Sequence, residues 1–346
     1  MLAVALRQCR LRLAVAGAGL AALAVVVAVA GPQVAHAYDD TVANCAASHD
    51  CALAAAALRT RYGLLSGWLD VVVAAVPVLL GMFWGAPLVA RELETGTYRL
   101  AWTQGVTRSR WLLAKLGVLT LGAVAAAGVA SLLVTWWAGP LDRVAGTPFA
   151  SFATRGVVPS GYAAFAFVLG VAAGVVLRRT LPAMAVALVG TVAARVVVTV
   201  WVRPHLFPAR VLATSAVSVG PLSPGLPLPA GSWVLSQSLL DRAGHVVASQ
   251  GGLGGGGLTI DIGPGVRLGS AGSCPNLRVT PGSIPGPQAI GALVQRCAAQ
   301  LHLHELVTYQ PAGRYWPLQW AELGLFLAAA VVVGAAAWWW VRRRLV

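Results

Sequence analysis

Residues 156–202 read GVVPSGYAAFAFVLGVAAGVVLRRTLPAMAVALVGTVAARVVVTVWV. Apart from Arg178, Arg179 and Arg195 the stretch carries no charge. It divides at the arginine pair into two runs, Gly156 to Leu177 and Thr180 to Val202. Each exceeds the roughly 20 apolar residues that carry a helix across a bilayer at about 1.5 Å rise per residue. The apolar residues are continuous rather than alternating, which excludes a membrane strand barrel.

Four further runs have the same character: Leu13 to Ala30, Val71 to Ala90, Leu116 to Leu141 and Leu323 to Val341. Composition agrees. Of 346 residues 58% are hydrophobic and 10% charged, and the mean hydropathy is +0.75. A soluble domain carries about 25% charged residues. An ordinary soluble enzyme, a disordered chain and a coiled coil are thereby excluded. The net charge of +14 rests almost wholly on arginine, Lys115 being the sole lysine. A nucleic-acid binder would share that charge but not this hydropathy, so the basic excess is topology signal.

The bases lie between alternate spans. Arg7, Arg10 and Arg12 precede the first span, and Arg91, Arg99, Arg108, Arg110 and Lys115 join the second to the third. Arg178 and Arg179 join the fourth to the fifth, and Arg342, Arg343 and Arg344 follow the sixth. The only acids among them are Glu92 and Glu94. The positive-inside rule puts these groups and both termini in the cytoplasm of a multi-pass plasma-membrane protein. Trp136, Trp137, Trp201, Trp320, Trp338, Trp339 and Trp340 stand at span ends, as an aromatic belt. The first span has a rival reading as a signal peptide cleaved at Ala35-His36-Ala37, although its apolar core is long for one.

Two large segments then face outward, Gly31 to Ser66 and Arg203 to Gln319. The chain divides into residues 1–202 with five spans, an extracytoplasmic domain at 203–319, and residues 320–346 with the last span and a basic tail. The second outward segment predicts strands at Trp233 to Leu240, His245 to Ser249 and Thr259 to Ile262. Asp241 to Gly244 reads as a hairpin turn, Gly251 to Gly257 as a flexible loop and Gln288 to His304 as a helix. The fold class is therefore an all-α six-helix membrane protein with a mixed α/β domain between the fifth and sixth helices. Cys45, Cys51, Cys274 and Cys297 fall outside and Cys9 inside. Four outside cysteines suit two disulfides, 45–51 and 274–297 being the simplest pairing.

Asp70 and Arg195 are ionisable residues inside or near spans and could pair; equally, Arg195 could snorkel and Asp70 lie exposed. Gly81-x-x-x-Gly85 and Gly170-x-x-x-Gly174 permit close helix approach, as seams within or between subunits. His302-Leu303-His304-Glu305 has metal-ligand chemistry but neither the H-E-x-x-H spacing nor four ligands. A phosphate-binding G-x-x-x-x-G-K-[ST] loop is missing, because Leu116 follows the sole lysine. No catalytic residue or cofactor is expected on this chain.

The segment GMFWGAPLVARELETGTYRLAWTQGVTRSRWLLAK, Gly81 to Lys115, carries charge at a membrane boundary. It resembles the loop between spans two and three in permease subunits of type-2 ABC exporters. Arg91, Glu92, Gly96, Thr97, Thr103, Arg108 and Lys115 match, and Glu94, Arg99 and Arg110 are further coupling-loop candidates in the same stretch. Tyr309-Gln310-Pro311-Ala312, Arg314-Tyr315-Trp316, Gln319 and Glu322 resemble the approach to the last span in actinobacterial permeases of this type. The resemblance implies that Arg91 to Lys115 is a cytoplasmic coupling loop docking on a separate ABC ATPase subunit. ATP and Mg would enter through that partner, and transport would proceed outward through a homodimer or heterodimer of permeases. The large segment before the last span departs from many members. The competing readings are a membrane-anchored receptor or sensor using that segment, and a polytopic lipid enzyme. Gene neighbourhood discriminates them.

Overall fold

The computed structural model describes residues 2–48, 51–95, 108–215, 228–250, 260–262, 266–268, 273–274, 276 and 287–344. The chain forms two compact units, Met1–Arg203 with Trp316–Val346, and Pro204–Tyr315. The helices are α1 (Leu2–Ser48), α2 (Cys51–Leu79), α3 (Ala86–Glu94), α4 (Arg108–Ala145), α5 (Val158–Leu177), α6 (Thr180–Val197), α7 (Pro287–Gln300) and α8 (Tyr315–Arg344). A π-helical turn, Leu80–Gly85, joins α2 to α3, and another, Val198–Val202, extends α6.

The described residues contain six helical stretches long and apolar enough to cross a membrane, the number expected. Their ends differ from expectation. Residues 31–48 and 51–66 are helical rather than a loop: α1 runs through Pro32 to Ser48, and α2 starts at Cys51. With 47 residues α1 is about 70 Å long, far beyond a hydrocarbon layer of about 30 Å. The cause is a helical repeat of large apolar residues, Val27 and Val34 on α1 and Leu58, Tyr62 and Leu69 on α2. They pack against Val134, Trp137 and Leu141 of α4. Trp137 is thus a core residue at 1% exposure, whereas Trp136, Trp201, Trp320 and Trp339 are exposed as a belt requires.

Helix α5 is the axis of the first unit. Fifteen of its 20 residues are buried, so it meets helices all round. Other helices turn Val25, Leu121, Leu181, Val189, Val331 and Val332 outward, which suits contact with lipid. Only Arg178 and Arg179 separate α5 from α6, with Arg178 in the left-handed region as the α5 cap. Because α5 starts beside the end of α6 and the start of α8, its two ends orient the bundle. Arg91, Arg178, Arg179, Arg342 and Arg343 all lie at the α5 C-terminal end.

The second unit is mixed α/β. Strands β1 (Arg210–Thr214), β2 (Trp233–Leu240), β3 (Val246–Gln250) and β7 (His304–Gln310) form an antiparallel sheet in the order β1-β7-β2-β3. A smaller antiparallel sheet holds β4 (Ile260–Ile262), β5 (Val266–Leu268) and β6 (Ser273–Cys274). Leu239, Leu268, Val294, Ala298 and Leu303 pack with the Cys274–Cys297 disulfide, which ties β6 to α7. The β2–β3 turn falls where expected. The main-chain N–H groups of His245 and Ala243 donate to the Asp241 carboxylate at 2.9 Å each and hold its pKa below the usual 3.8.

Helix α7 ends four residues before the expected His304. Leu303 N–H bonds to Ala298 O and His302 N–H to Ala299 O, with His302 at φ 50°. This is the left-handed stop that closes many helices. It frees His304 to begin β7, a central strand that residue type alone did not suggest.

Candidate functional site

Two features of the first unit combine unusual chemistry with unusual packing. One is the seam under α3. Small residues there let backbones touch. A Cβ at Gly81 would stand 2.5 Å from Ala166 O, one at Gly85 2.5 Å from Phe167 O and one at Gly174 2.7 Å from Ala86 O. A Cβ at Gly170 would strike Gly81 O. The two glycine pairs read from the sequence therefore meet each other, within one subunit. Ala86, Ala90, Ala173 and Ala183 continue the contact from α3 across α5 to α6. The intervening π turn is a one-residue widening of the helix, the kind of irregularity found at functional positions.

At the end of α3 Glu94 reaches the start of α6. The Thr180 hydroxyl donates to Glu94 Oε2 at 2.7 Å and the Thr180 N–H at 3.4 Å. Glu94 thereby caps α6 from another element, where a carboxylate also meets the positive end of the helix dipole. Arg91 is exposed and Glu92 half-buried on the same short helix. Gly96, Thr97, Arg99 and Thr103 lie outside the described residues. Arg108, Arg110 and Lys115 lie on the first turns of α4, with side chains outside the described residues.

The second feature is a buried ionic network near the N-terminal end of α5. Glu322 of α8 is fully buried. It accepts Arg203 Nε at 2.7 Å and Nη2 at 2.9 Å, a two-point pair, and also the Tyr162 hydroxyl. Arg203 Nη2 reaches Thr199 as well, and its guanidinium lies 4.4 Å from the centre of the Phe152 ring. Beside it Gln319 holds the start of α5. Its Oε1 accepts the N–H groups of Val157 and Val158 at 3.1 Å each, while its Nε2 donates to Phe152 O and Arg155 O. Gly156 permits this approach. It sits at φ +68°, and a Cβ there would stand 2.8 Å from Gln319 Oε1.

The pairing expected between Asp70 and Arg195 does not form. Asp70 accepts Arg155 Nη1 at 2.7 Å, Thr154 Oγ1 at 2.7 Å and Ser151 Oγ at 3.2 Å. Arg155 is 2% exposed and also faces Asp142 at 3.6 Å. Arg195 instead donates from Nη1 to Ala74 O at 2.7 Å and lies over the Tyr162 ring at 4.6 Å. The physical reason is proximity. The α4–α5 connection, through Ser151, Thr154 and Arg155, lies against Asp70 and brings it a closer guanidinium.

Of the residues expected at the approach to the last span, Glu322 belongs to the ionic network. Tyr309 is buried in β7 opposite Arg210 and Val234. Arg314 donates to Gln310 Oε1 at 2.6 Å and to Pro208 O, and Pro311 caps the short turn Ala312–Arg314. Trp316 is 53% exposed. Cys274 and Cys297 form the disulfide described above, and Cys45 is disulfide-bonded as well. The side chain of Cys51, its expected partner, lies outside the described residues. Among the described residues no group of three or more His, Cys, Asp or Glu is placed to hold a metal ion.

Arg155, Arg203, Tyr162 and Gln319 were not singled out by charge pattern as network members. Arg203 reads as the first residue of a loop and Arg155 as the last before a span. The usable signal is that both flank spans holding no other compensating charge, while Glu322 and Asp70 each sit at a span end. An assembly of helices crossing the membrane, with a small-residue seam under a charged helix end and internally paired ions, suits a membrane transport component. No curated protein and no solved structure matches the chain. Residues 17–203, more than half of the chain, match the family described as ABC-2 membrane transporter related. The chain therefore belongs to the ABC-2 membrane transporter related family, as a multi-pass membrane protein of permease type.

Proposed function

We propose that the chain is the membrane-spanning subunit of an ATP-driven exporter and that residues 91–115 couple it to a separate ABC ATPase. One observation carries this reading: the stretch that ends in Arg91, Glu92 and Glu94 is built into the bundle by backbone-to-backbone packing. Gly81 and Gly85 rest on α5, and Glu94 holds the start of α6. A push on α3 from the ATPase side would move α5 and α6 together, because close-packed backbones transmit displacement rather than absorb it. Arg91 and Glu92 present charge to the partner, and Arg99, Thr103, Arg108, Arg110 and Lys115 belong to the same coupling stretch of the sequence. The same reading puts both termini on the ATPase side, the unit Pro204–Tyr315 outside, and ATP with Mg on the partner. Two permease chains form the path, by alternating access along their seam.

Co-purification from mild detergent with a candidate P-loop ATPase, with ATP hydrolysis read alongside, tests the assignment. A stable complex is expected. Glu92→Lys with Glu94→Lys keeps the bundle folded and uncouples hydrolysis from transport in reconstituted vesicles. Unchanged coupling in that double variant sinks the assignment.

A further inference from the structure

Around Arg195 the charges of the bundle interior do not balance. Glu322 is consumed by Arg203 in a two-point pair, and Asp70 by Arg155. Arg195 forms no ion pair among the described residues. Its guanidinium has one carbonyl, Ala74 O, and the face of Tyr162. Two guanidinium groups, those of Arg195 and Arg203, thus share a neighbourhood with one carboxylate. Yet Arg195 lies seven residues before Val202, about 10 Å of helix inside the end of an apolar span. A bare cation at that depth is costly, and such residues almost always meet an opposite charge or water. One turn earlier on the same helix face, Thr191 is fully buried with its hydroxyl unpartnered. The flanks are apolar and open: Val192 and Val196 of α6 and Val71 and Val72 of α2 are each 43–58% exposed.

We propose that Arg195 is the headgroup subsite for an anionic amphiphile, seated where Arg195 of α6 meets Ala74 of α2. The planar guanidinium offers remaining N–H donors to a phosphate or carboxylate, and Tyr162 fixes its plane from below. The exposed valines of both helices take the acyl chain. An anionic headgroup supplies the charge that Glu322 cannot. A free inorganic anion is disfavoured, because the exposed side chains beside Arg195, Val192 and Val196, are apolar and would leave its outer oxygens unsolvated.

The inference rests on the membrane-spanning bundle and not on ATPase coupling. Its test contains neither ATPase nor nucleotide, so the two readings fail separately. The full chain, purified and delipidated in detergent, is titrated with phosphatidylglycerol and with phosphatidylcholine of equal chain length, and bound lipid is counted by native mass spectrometry. The wild-type chain is expected to prefer phosphatidylglycerol by about ten-fold or more, the worth of one charge-assisted contact. Arg195→Gln equalises the two lipids, and Arg195→Lys keeps the preference. Equal binding of both lipids by the wild-type chain overturns the proposal, and that comparison needs no variant to fold. A preference that survives in folded Arg195→Gln overturns it too. Displacement of phosphatidylglycerol by millimolar inorganic phosphate overturns the choice of an amphiphile.

Discussion

Removing Glu322 is the sharpest test of the buried network. Glu322→Leu leaves Arg203, whose side chain is 7% exposed, with Tyr162 and Thr199 hydroxyls but no counter-charge. Arg203→Met leaves a fully buried carboxylate held by Tyr162 alone. Breaking one side of a buried pair costs about 3–5 kcal/mol. Hydrogen bonds between membrane helices average only about 0.6 kcal/mol, but that figure describes neutral partners that find substitutes. Arg203 stranded without Glu322 finds no second carboxylate bonded to it, so the larger value governs there, whereas Glu322 stranded without Arg203 keeps Arg195 in its neighbourhood through Tyr162 and falls at the lower end of the range. The double variant Arg203→Met, Glu322→Leu strands no charge, only the two hydroxyls. It should cost about 1–3 kcal/mol, because each unpartnered hydroxyl costs on the order of 1 kcal/mol. Independent singles would instead sum to about 6–10 kcal/mol. The cycle is measured by denaturant titration of the purified chain in detergent, followed by tryptophan fluorescence. A double variant as destabilised as the sum, within about 0.5 kcal/mol, refutes the pairing as the source of the penalty.

Gly170→Val places side-chain atoms against Gly81 O and Ala86 N, so the folded yield in membranes should collapse. Gly117→Val, with open space at its Cβ, should be accepted. Gln319→Leu strands the N–H groups of Val157 and Val158 and should lower stability by about 2–3 kcal/mol. Gln319→Glu, which keeps the acceptor, should recover part of that loss. In the second unit the depressed pKa of Asp241 fixes the sign of an acid effect. Its stabilisation is complete above the ordinary 3.8 and is lost as pH falls through the lower folded value. Protection of the Ala243 and His245 amides, measured by hydrogen exchange and corrected for intrinsic rate, should therefore fall below about pH 4, and less so in Asp241→Ala, which has little to lose.

Six spans and the basic end of the bundle were legible because both follow from free energies of transfer that single residues carry. The extents of α1 and α2 were obscured by His36, Asp39, Asp40, Cys45 and Cys51, which read as a loop. The repeat Leu58, Tyr62, Leu65, Leu69 carried the helical signal throughout. The π turn has no sequence mark. Its six residues, LGMFWG, are as apolar as their neighbours, and only the facing glycines of α5 explain the geometry. Asp70 and Arg195 were recognisable as intramembrane charges but not their partners, since Arg155 is 85 residues from Asp70 in the chain. Pairings at such separation belong to tertiary structure. Glu94 stood out for its charge, while its bond to Thr180 depended on the two-residue α5–α6 turn.

The Arg203–Glu322 pair spans 119 residues of chain, and the whole of the second unit is made between its two halves. At about 5–20 residues per second, a ribosome needs on the order of ten seconds to bridge that interval. Throughout it, five inserted helices wait with an arginine unmatched and the first amides of α5 unanswered. Helix α8 therefore works as a closure: it delivers Glu322 and Gln319 at one stroke, and the bundle is tight only once both are in place. A product cut short before Glu322 would carry its incompleteness as an unneutralised charge inside the membrane, a mark that quality-control proteases of the membrane could read.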